Sequence, residues 1–192
     1  MTHHSSLSKR RWHLLLLLGA LLILVAIFVF NLHLIKTPCQ LASVRPRILG
    51  PAINDLEVKI TSPEDCSLNL PAGKHIPVEG TYSGNLAGRE IWVLAYASDH
   101  EYYPQSSDPC KMLPAEASGV HWRTTLFDLT AEQIDIVVTV TDDDSEASQY
   151  FKEWVKQAGC PEPGEKFPGG ISNLPDGLTE MDAITVRTKS AW

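Results

Sequence analysis

The densest group of side chains suited to metal binding is an acidic cluster in the second half of the chain. Its members are Asp142, Asp143, Asp144 and Glu146. Carboxylate oxygens this close together are ligands that Ca²⁺ prefers, although their spacing is not that of an EF-hand loop. The same residues also suit the start of a helix, with Asp143 as N-cap and Glu146 completing a capping box. Acidic side chains are stabilised at a helix N-terminus, so we expect a helix cap and no metal site.

A group of aromatic side chains offers ring faces on which a sugar could stack. Its members are Trp92, Tyr96, Tyr102, Tyr103 and Trp122. On a strand, Trp92 and Tyr96 share one face with Leu94, so packing in a core accounts for them. Tyr102 and Tyr103 are adjacent and point to opposite faces of an extended chain, so we expect one of them to be exposed. The residues predicted to contact a ligand or a partner are Tyr102, Tyr103 and Gln105.

Catalytic side chains occur only as scattered residues. Beyond residue 35 the histidines are His75, His100 and His121, and the chain has no G-x-S-x-G or H-E-x-x-H motif. It also has no phosphate-binding loop and no dinucleotide-binding fingerprint. We expect His121, beside Trp122 on a predicted strand, to be a surface residue. The sequence therefore predicts a protein with no catalytic residues and no cofactor.

The elements that would position these residues begin with an apolar segment near the N-terminus. Lys9, Arg10 and Arg11 precede residues 12–35, which contain no Asp, Glu, Lys or Arg. At about 1.5 Å per residue, these 24 residues span roughly 36 Å, enough to cross a hydrocarbon core of about 30 Å. The positive-inside rule keeps residues 1–11 in the cytoplasm and places the rest of the chain in the periplasm or outside the cell. A cleaved signal peptide is the alternative, but its apolar run is usually shorter and precedes a small-residue cleavage site.

Two histidines, His13 and His33, lie at the ends of the predicted membrane helix. Neutral imidazole is a good metal ligand, so either residue is a candidate axial ligand for a haem or a pigment. We favour a location at the level of the lipid headgroups, with the polar tip of each ring in water. Neither histidine then needs a cofactor.

Four cysteines, Cys39, Cys66, Cys110 and Cys160, lie on the oxidising side of the membrane in this topology. No pair is spaced closely enough for a zinc site or a C-x-x-C redox motif, so structural disulfides are expected. The candidate disulfide cysteines are Cys66, Cys110 and Cys160, with Cys110 paired to one of the other two. Cys39 is left free, lipid-modified or bridged to another chain.

The charge of the chain restricts its partners. All 23 acidic residues but only 13 of the 16 basic ones follow residue 35, so the extracytoplasmic part carries −10. This charge argues against nucleic acid and against anionic lipid surfaces as partners. The expected partners are the lipid bilayer around the helix and another membrane or envelope protein.

The extracytoplasmic part divides into a linker and one domain. Residues 36–55 contain three prolines and a glycine with little periodicity, which predicts a stalk. Residues 56–192 are numerous enough to bury a core of their own. Segments with apolar residues at every second position, or apolar throughout, predict strands: 56–60, 76–82, 91–97, 101–105, 120–126, 134–140 and 183–188. A helix from residue 143 to Gly159 interrupts them, and the set indicates a β-sandwich.

Several short segments together resemble the bacterial immunoglobulin-like sandwich domains of envelope and surface proteins, over about residues 56–188. They are Ile60–Pro63, Val78–Tyr82, Ile91–Tyr96, Tyr102–Gln105, Leu174–Gly177 and Asp182–Val186. The resemblance implies an immunoglobulin-like β-sandwich with one inserted helix and with Trp92 as the core tryptophan of the third strand. It implies no catalytic residues.

We therefore expect a non-enzymatic, single-pass membrane-anchored interaction module, such as an accessory subunit of an envelope or membrane complex. Tethering raises the local concentration of such a domain, so weak contacts are sufficient. One alternative is a cell-wall or carbohydrate-binding domain that uses Tyr102 and Tyr103. A second alternative is a pigment- or haem-binding membrane subunit that uses His13 or His33.

Overall fold

The computed structural model describes residues 45–68, 70–71, 75–127 and 131–189. All of them belong to one compact unit that runs from residue 42 to residue 192. The predicted cytoplasmic tail, the predicted membrane helix, Cys39 and the two histidines at the helix ends lie outside the described residues. Within the described ranges, no helix is long and apolar enough to cross a membrane.

The described part of the chain is mainly β, as the sequence predicts. Its strands are β1 (Leu56–Ser62), β2 (Leu70–Pro71), β3 (Ile76–Gly84), β4 (Arg89–Tyr96), β5 (Tyr102–Gln105), β6 (Glu116–Ser118), β7 (His121–Leu126), β8 (Gln133–Asp142) and β9 (Thr179–Lys189). One α-helix, α1 (Glu146–Gly159), and a 3-10 turn (Pro109–Lys111) complete the set. The short strands β2 and β6 carry no alternation of their own and were not predicted.

The strands form two sheets that share a hydrophobic core. One sheet has the order β1-β3-β7-β6 and the other β2-β9-β8-β4-β5, with β5 at its edge. All pairings are antiparallel except that of β2 with β9. Every second residue along the longer strands points into the shared core, which contains Val58, Val78, Val93, Val138 and Val186. The two-residue period therefore determines which residues meet between the sheets.

A second core lies on the other side of the five-stranded sheet, where α1 covers β4 and β8. Trp92, Leu94 and Val137 pack there against Phe151 and Trp154 of the helix. This placement corrects the expectation drawn from the resemblance, because Trp92 is buried beneath the helix and not between the sheets. The odd-numbered residues of β4 face the other sheet, so Trp92 must face the helix.

The tryptophan between the sheets is Trp122 of β7. Its partner in the β3–β7 register is Gly80. A side chain at Gly80 would overlap the indole of Trp122 and the backbone oxygen of Lys59. The ring of Trp122 therefore fits between the sheets because residue 80 has no side chain.

Helix α1 begins two residues later than the capping box predicts. Ser145 is the N-cap, and its Oγ accepts a hydrogen bond from the Ser148 N–H at 3.1 Å. Asp143, the expected cap, lies in the preceding turn and donates its backbone N–H to the oxygen of Gly88 at 3.0 Å. The helix ends at Gly159, as predicted.

Residues 45–55, assigned to the stalk from composition, lie against the domain. Arg45 donates two hydrogen bonds of 2.8 Å to the carboxylate of Glu180 in β9, and the Ile48 N–H donates a third at 2.9 Å. The two charged side chains are only 8% and 9% exposed. Burial would raise the pKa of Glu180, but the hydrogen bonds and the positive charge of Arg45 outweigh it and lower that pKa. The packed structure therefore begins before residue 56.

A disulfide joins Cys110 in the 3-10 turn to Cys160 at the end of α1, with 5.1 Å between the two Cα atoms. It is one of the two pairings predicted for Cys110. Cys66 is also disulfide-bonded. Gly159 lies so close to Pro109 that an added Cβ would be 2.6 Å from the proline ring. The disulfide and this close contact fix the end of the helix beside strand β5.

Candidate functional site

A groove of about 700 Å³ lies beside β5 and the C-terminal half of α1. We call it the aromatic groove, because its lining includes the rings of His75, Tyr103, Phe127, Trp154 and Phe167. Apolar aliphatic residues and prolines supply much of the remaining lining. Concave surfaces of this size and composition are typical of ligand sites.

Three elements each contribute one ring to one part of the groove. Tyr103 comes from β5, Trp154 from α1, and Phe167 from the irregular segment that follows the disulfide. The ring of Phe167 lies 6.4 Å from that of Tyr103 at an interplanar angle of 17°, and 5.8 Å from that of Trp154 at 78°. The Trp154 indole N–H donates to the oxygen of Gly169 at 3.0 Å, which ties the segment to the helix. Phe167 is 61% exposed, so one side of this aromatic trio is open to solvent.

Two carboxylates flank the trio. The Tyr103 hydroxyl donates to Asp99 Oδ2 at 2.5 Å and to Glu101 Oε2 at 3.4 Å. Burial raises the pKa of Tyr103, and the negative charges of Asp99 and Glu101 raise it further. The hydroxyl therefore stays protonated and remains a donor at neutral and moderately alkaline pH.

Neither carboxylate has a basic partner within the described residues. The ion pairs found there involve other acidic side chains. Asp99 Oδ1 accepts the backbone N–H of Glu101 at 3.2 Å. Gly170 lies against both Glu101 and Tyr103, and a Cβ there would overlap the Glu101 side chain. The groove is thus lined by Asp99 and bordered by Glu101, two carboxylates that form no ion pair with a described basic side chain.

The structure separates the three predicted contact residues. Tyr102 is 4% exposed, packs against Tyr96 with ring centroids 4.8 Å apart, and donates its hydroxyl to the oxygen of Pro46. Gln105 is also 4% exposed, and its amide bonds the oxygen of Tyr103 and the N–H of Phe127, each at 2.9 Å. Tyr103 alone of the three contributes a ring to the groove. Gln105 lines the groove, but its amide is already used in these internal hydrogen bonds.

The sequence analysis missed Phe167, Trp154, Asp99 and Glu101 as members of the site. Phe167 stands alone in a segment rich in Pro, Gly and charged residues, where no regular spacing of apolar residues would place it in a core. Its isolation was the signal that it could be exposed at a binding site. Trp154 was predicted only as part of the helix face. Asp99 and Glu101 are brought to Tyr103 by the turn between β4 and β5, which no motif marked.

The other candidate groups lie elsewhere. Asp142, Asp143, Asp144 and Glu146 are exposed around the turn before α1. No group of His, Cys, Asp and Glu in the described part of the chain is arranged to hold a metal ion. His121 is exposed on the outer face of the four-stranded sheet.

A second groove, of about 460 Å³, lies near His121 on that outer face. Its lining includes Glu116 and Arg123, which form an ion pair at 2.8 Å. Glu79 also lines this groove, and it forms no ion pair among the described residues. The two grooves therefore differ in their large aromatic side chains. The aromatic groove presents the exposed ring of Phe167, whereas Trp122 in the second groove is only 1% exposed.

The aromatic groove offers ring faces, a hydroxyl donor and the carboxylate of Asp99, with that of Glu101 at its border. These groups bind ligands by stacking and by attraction of cations. No protein-family model matches the sequence, and a search of curated proteins finds no significant match. The functional argument therefore depends on the residues of the site.

Proposed function

We propose that the protein is a non-enzymatic, single-pass membrane-anchored interaction module with an immunoglobulin-like extracytoplasmic domain. In this proposal residues 12–35 hold the chain in the bilayer, and residues 1–11 face the cytoplasm. The domain presents the aromatic groove to another membrane or envelope protein. Confinement to the membrane raises the effective concentration of the groove near its partner.

The strand order supports the immunoglobulin-like part of the proposal. The order β1-β3-β7-β6 corresponds to strands A-B-E-D, and β9-β8-β4-β5 corresponds to G-F-C-C′. Helix α1 then occupies the connection between strands F and G. An inserted helix at that position departs from the simplest form of such domains.

The membrane part of the proposal is supported by the sequence and by the cysteines. An uncharged apolar segment preceded by three basic residues is typical of an anchor with its N-terminus in the cytoplasm. The disulfide between Cys110 and Cys160 fits an oxidising compartment on the far side of the membrane.

The observation that carries the interaction function is the exposure of Phe167 at the open side of the aromatic groove. An exposed aromatic ring at a concave site with apolar and polar lining is a feature of binding surfaces. In this proposal the surface binds a partner and catalyses no reaction.

The proposal is tested by recovering partners of the full-length protein from membranes in mild detergent. Two variants accompany it, one with Phe167→Ala and one in which an unrelated membrane helix replaces residues 12–35. We expect the helix replacement to keep the partner and Phe167→Ala to lose it. Tyr150→Ala, which removes another exposed ring from α1, is the matched control and should have no effect. Loss of the partner on helix replacement alone would assign recognition to the membrane helix and contradict the proposal.

A second candidate function is carbohydrate binding by the same groove. The observation that favours it is the pair of near-parallel rings of Tyr103 and Phe167, bordered by the polar groups of Asp99 and Glu101. A sugar ring could stack on the open face of Phe167. Retention of the full-length protein on envelope polysaccharide, lost with Phe167→Ala, would support this function. If the protein is not retained on the polysaccharide, carbohydrate binding is ruled out.

A further inference from the structure

We propose that the aromatic groove recognises a lysine or arginine side chain on an apolar segment of the partner protein. This inference rests on the proposed interaction function and specifies the chemistry of the partner. It follows from the charge of the groove, from its rings and from the composition of its lining.

The negative charge at the groove comes from Asp99, which lines it, and from Glu101, which borders it beside the hydroxyl of Tyr103. One tyrosine hydroxyl bridges the two carboxylates, which brings two negative charges close together. Like charges at short range repel each other, and a cation placed between or beside them relieves the repulsion. The described residues supply no basic side chain for this position, so a cationic group of a ligand meets no competing cation from them.

The aromatic trio of Tyr103, Trp154 and Phe167 lies next to these carboxylates. Ring faces attract cations, and arginine also stacks flat on aromatic rings. Phe167 offers the open face, since it is 61% exposed and Trp154 only 8%. The rings and the carboxylates therefore favour the same kind of ligand. A neutral ligand would gain from the rings without any charge attraction, and a negatively charged ligand would be repelled by the two acids.

The size and lining of the groove favour a protein segment over a small free cation. A volume of about 700 Å³ exceeds what one ammonium or guanidinium group fills. The lining also includes Pro104, Phe127 and Ala158, which suit apolar side chains on either side of a basic one. The methylene stem of lysine or arginine packs on such surfaces while its charged end reaches the acids.

The charge of the whole extracytoplasmic part acts in the same direction. Its net charge of −10 attracts a basic partner over distances up to a Debye length and speeds the encounter. The second groove also has a carboxylate without an ion pair among the described residues, Glu79, but its tryptophan, Trp122, is only 1% exposed and offers no open ring face. Long-range attraction is therefore general to the domain, while the local selection of a cation belongs to the aromatic groove.

The test measures binding of short fluorescent peptides to the full-length protein in an uncharged maltoside detergent. The peptides share an apolar sequence and differ only at the central residue, which is lysine, arginine, norleucine or glutamate. We expect the lysine and arginine peptides to bind about tenfold more tightly than the norleucine peptide. We expect the glutamate peptide to bind more weakly still, and added salt to weaken only the cationic peptides.

Variants assign the effect to the groove. The pair Asp99→Asn and Glu101→Gln should reduce the lysine peptide to the affinity of the norleucine peptide. Phe167→Ala should weaken all the peptides, by about fivefold for the cationic ones. The matched controls are Tyr150→Ala for the ring and Glu116→Gln for the charge, and both should leave binding unchanged. Circular dichroism checks that each variant is folded, and the exposed positions of Asp99 and Phe167 favour this outcome.

Three results would overturn the inference. They are equal affinity for the lysine and norleucine peptides, no binding of any peptide at millimolar concentration, and preferential binding of choline-headed micelles over peptides. The inference and the proposed function fail separately. A partner recovered from membranes that still binds the Asp99→Asn, Glu101→Gln variant refutes the cation inference alone, whereas recovery of no partner at all contradicts the proposed function.

Discussion

The outer faces of the two sheets differ in what covers them. The face of the four-stranded sheet is open to solvent and carries charged side chains such as Lys59, Glu79 and Arg123. The corresponding face of the five-stranded sheet carries Trp92 and Leu94, which are fully buried beneath α1. One helix between β8 and β9 thus creates a second core, and the aromatic groove lies at its edge. The difference shows that the connection between two strands, and not the sheets themselves, produces the candidate site.

The largest effect is expected from Phe151→Ala, which removes the ring that packs on Trp92 with 5.4 Å between ring centroids. We expect a loss of about 3–5 kcal/mol in the free energy of unfolding, because a large ring is removed from a closed core. Urea denaturation measures it. The neighbouring substitution Tyr150→Ala, at a ring that is 45% exposed, should cost about 0.5 kcal/mol. Equal effects of the two substitutions would show that the face of the five-stranded sheet beneath α1, here called the covered face, is not a core.

Replacing both Cys110 and Cys160 with serine should lower the free energy of unfolding by about 3 kcal/mol. The disulfide closes a loop with a sequence separation of 50 residues, and opening it increases the entropy of the unfolded chain. Thermal unfolding of the two forms gives the difference. An unchanged melting temperature would mean that the covered face is held by side-chain packing alone.

Arg45→Met should cost about 3 kcal/mol, because it leaves the buried carboxylate of Glu180 without its cation. The wild-type pair should also weaken in acid. The pKa of Glu180 is lowered in the folded protein, so its contribution is present above the unfolded-state pKa of about 4.3 and is lost as the pH falls through the lowered folded-state pKa. Urea denaturation at several pH values measures this dependence, and Glu180→Gln should remove that part of it. Arg187→Met, at an exposed residue of β9, is the control.

Ser145→Ala should cost about 1 kcal/mol, because it removes the oxygen that caps α1. Asp143→Ala should have a smaller effect, since that side chain is exposed in the turn before the helix. Chemical denaturation of both variants separates the two candidate caps. A larger loss of stability for Asp143→Ala would show that Asp143 is the N-cap, as the capping box predicts.

The smallest effect is expected on the uncovered face. Arg123→Ala breaks the ion pair with Glu116, in which both side chains are more than half exposed. Exposed pairs contribute about 0–1 kcal/mol, so we expect a change of about 0.5 kcal/mol or less. A loss comparable to that of Phe151→Ala would mean that the two outer faces contribute equally to stability.

The parts of the fold that could be predicted are those that local periodicity determines. Strands β3 and β8 alternate cleanly, and the continuous apolar run in β4 indicated a strand covered on both faces, as the second core confirms. The end of α1 at Gly159 could also be predicted, because a helix commonly ends at a glycine that follows its last turn. Each of these signals lies within about ten residues of the feature that it predicts.

The parts that could not be predicted depend on contacts between distant residues or on a choice between similar ones. Arg45 and Glu180 are 135 residues apart, and a proline-containing segment gave no reason to place a buried charge in it. Asp143 and Ser145 are both good N-caps, and the backbone contact of Asp143 with Gly88 decides between them. Phe167 joins the groove only because the disulfide and the helix bring its irregular segment back to β5.

Strand β5 also bears on how the domain behaves when it is concentrated. The backbone N–H and carbonyl of Tyr102 point away from β4 and are bonded to Ile171 at 3.0 and 2.9 Å. Two residues further along, the group that would point the same way belongs to Pro104, which has no N–H to donate. A strand from another molecule therefore meets no regular ladder at this edge. The edge that borders the groove is protected against strand-by-strand aggregation even where many copies are crowded together.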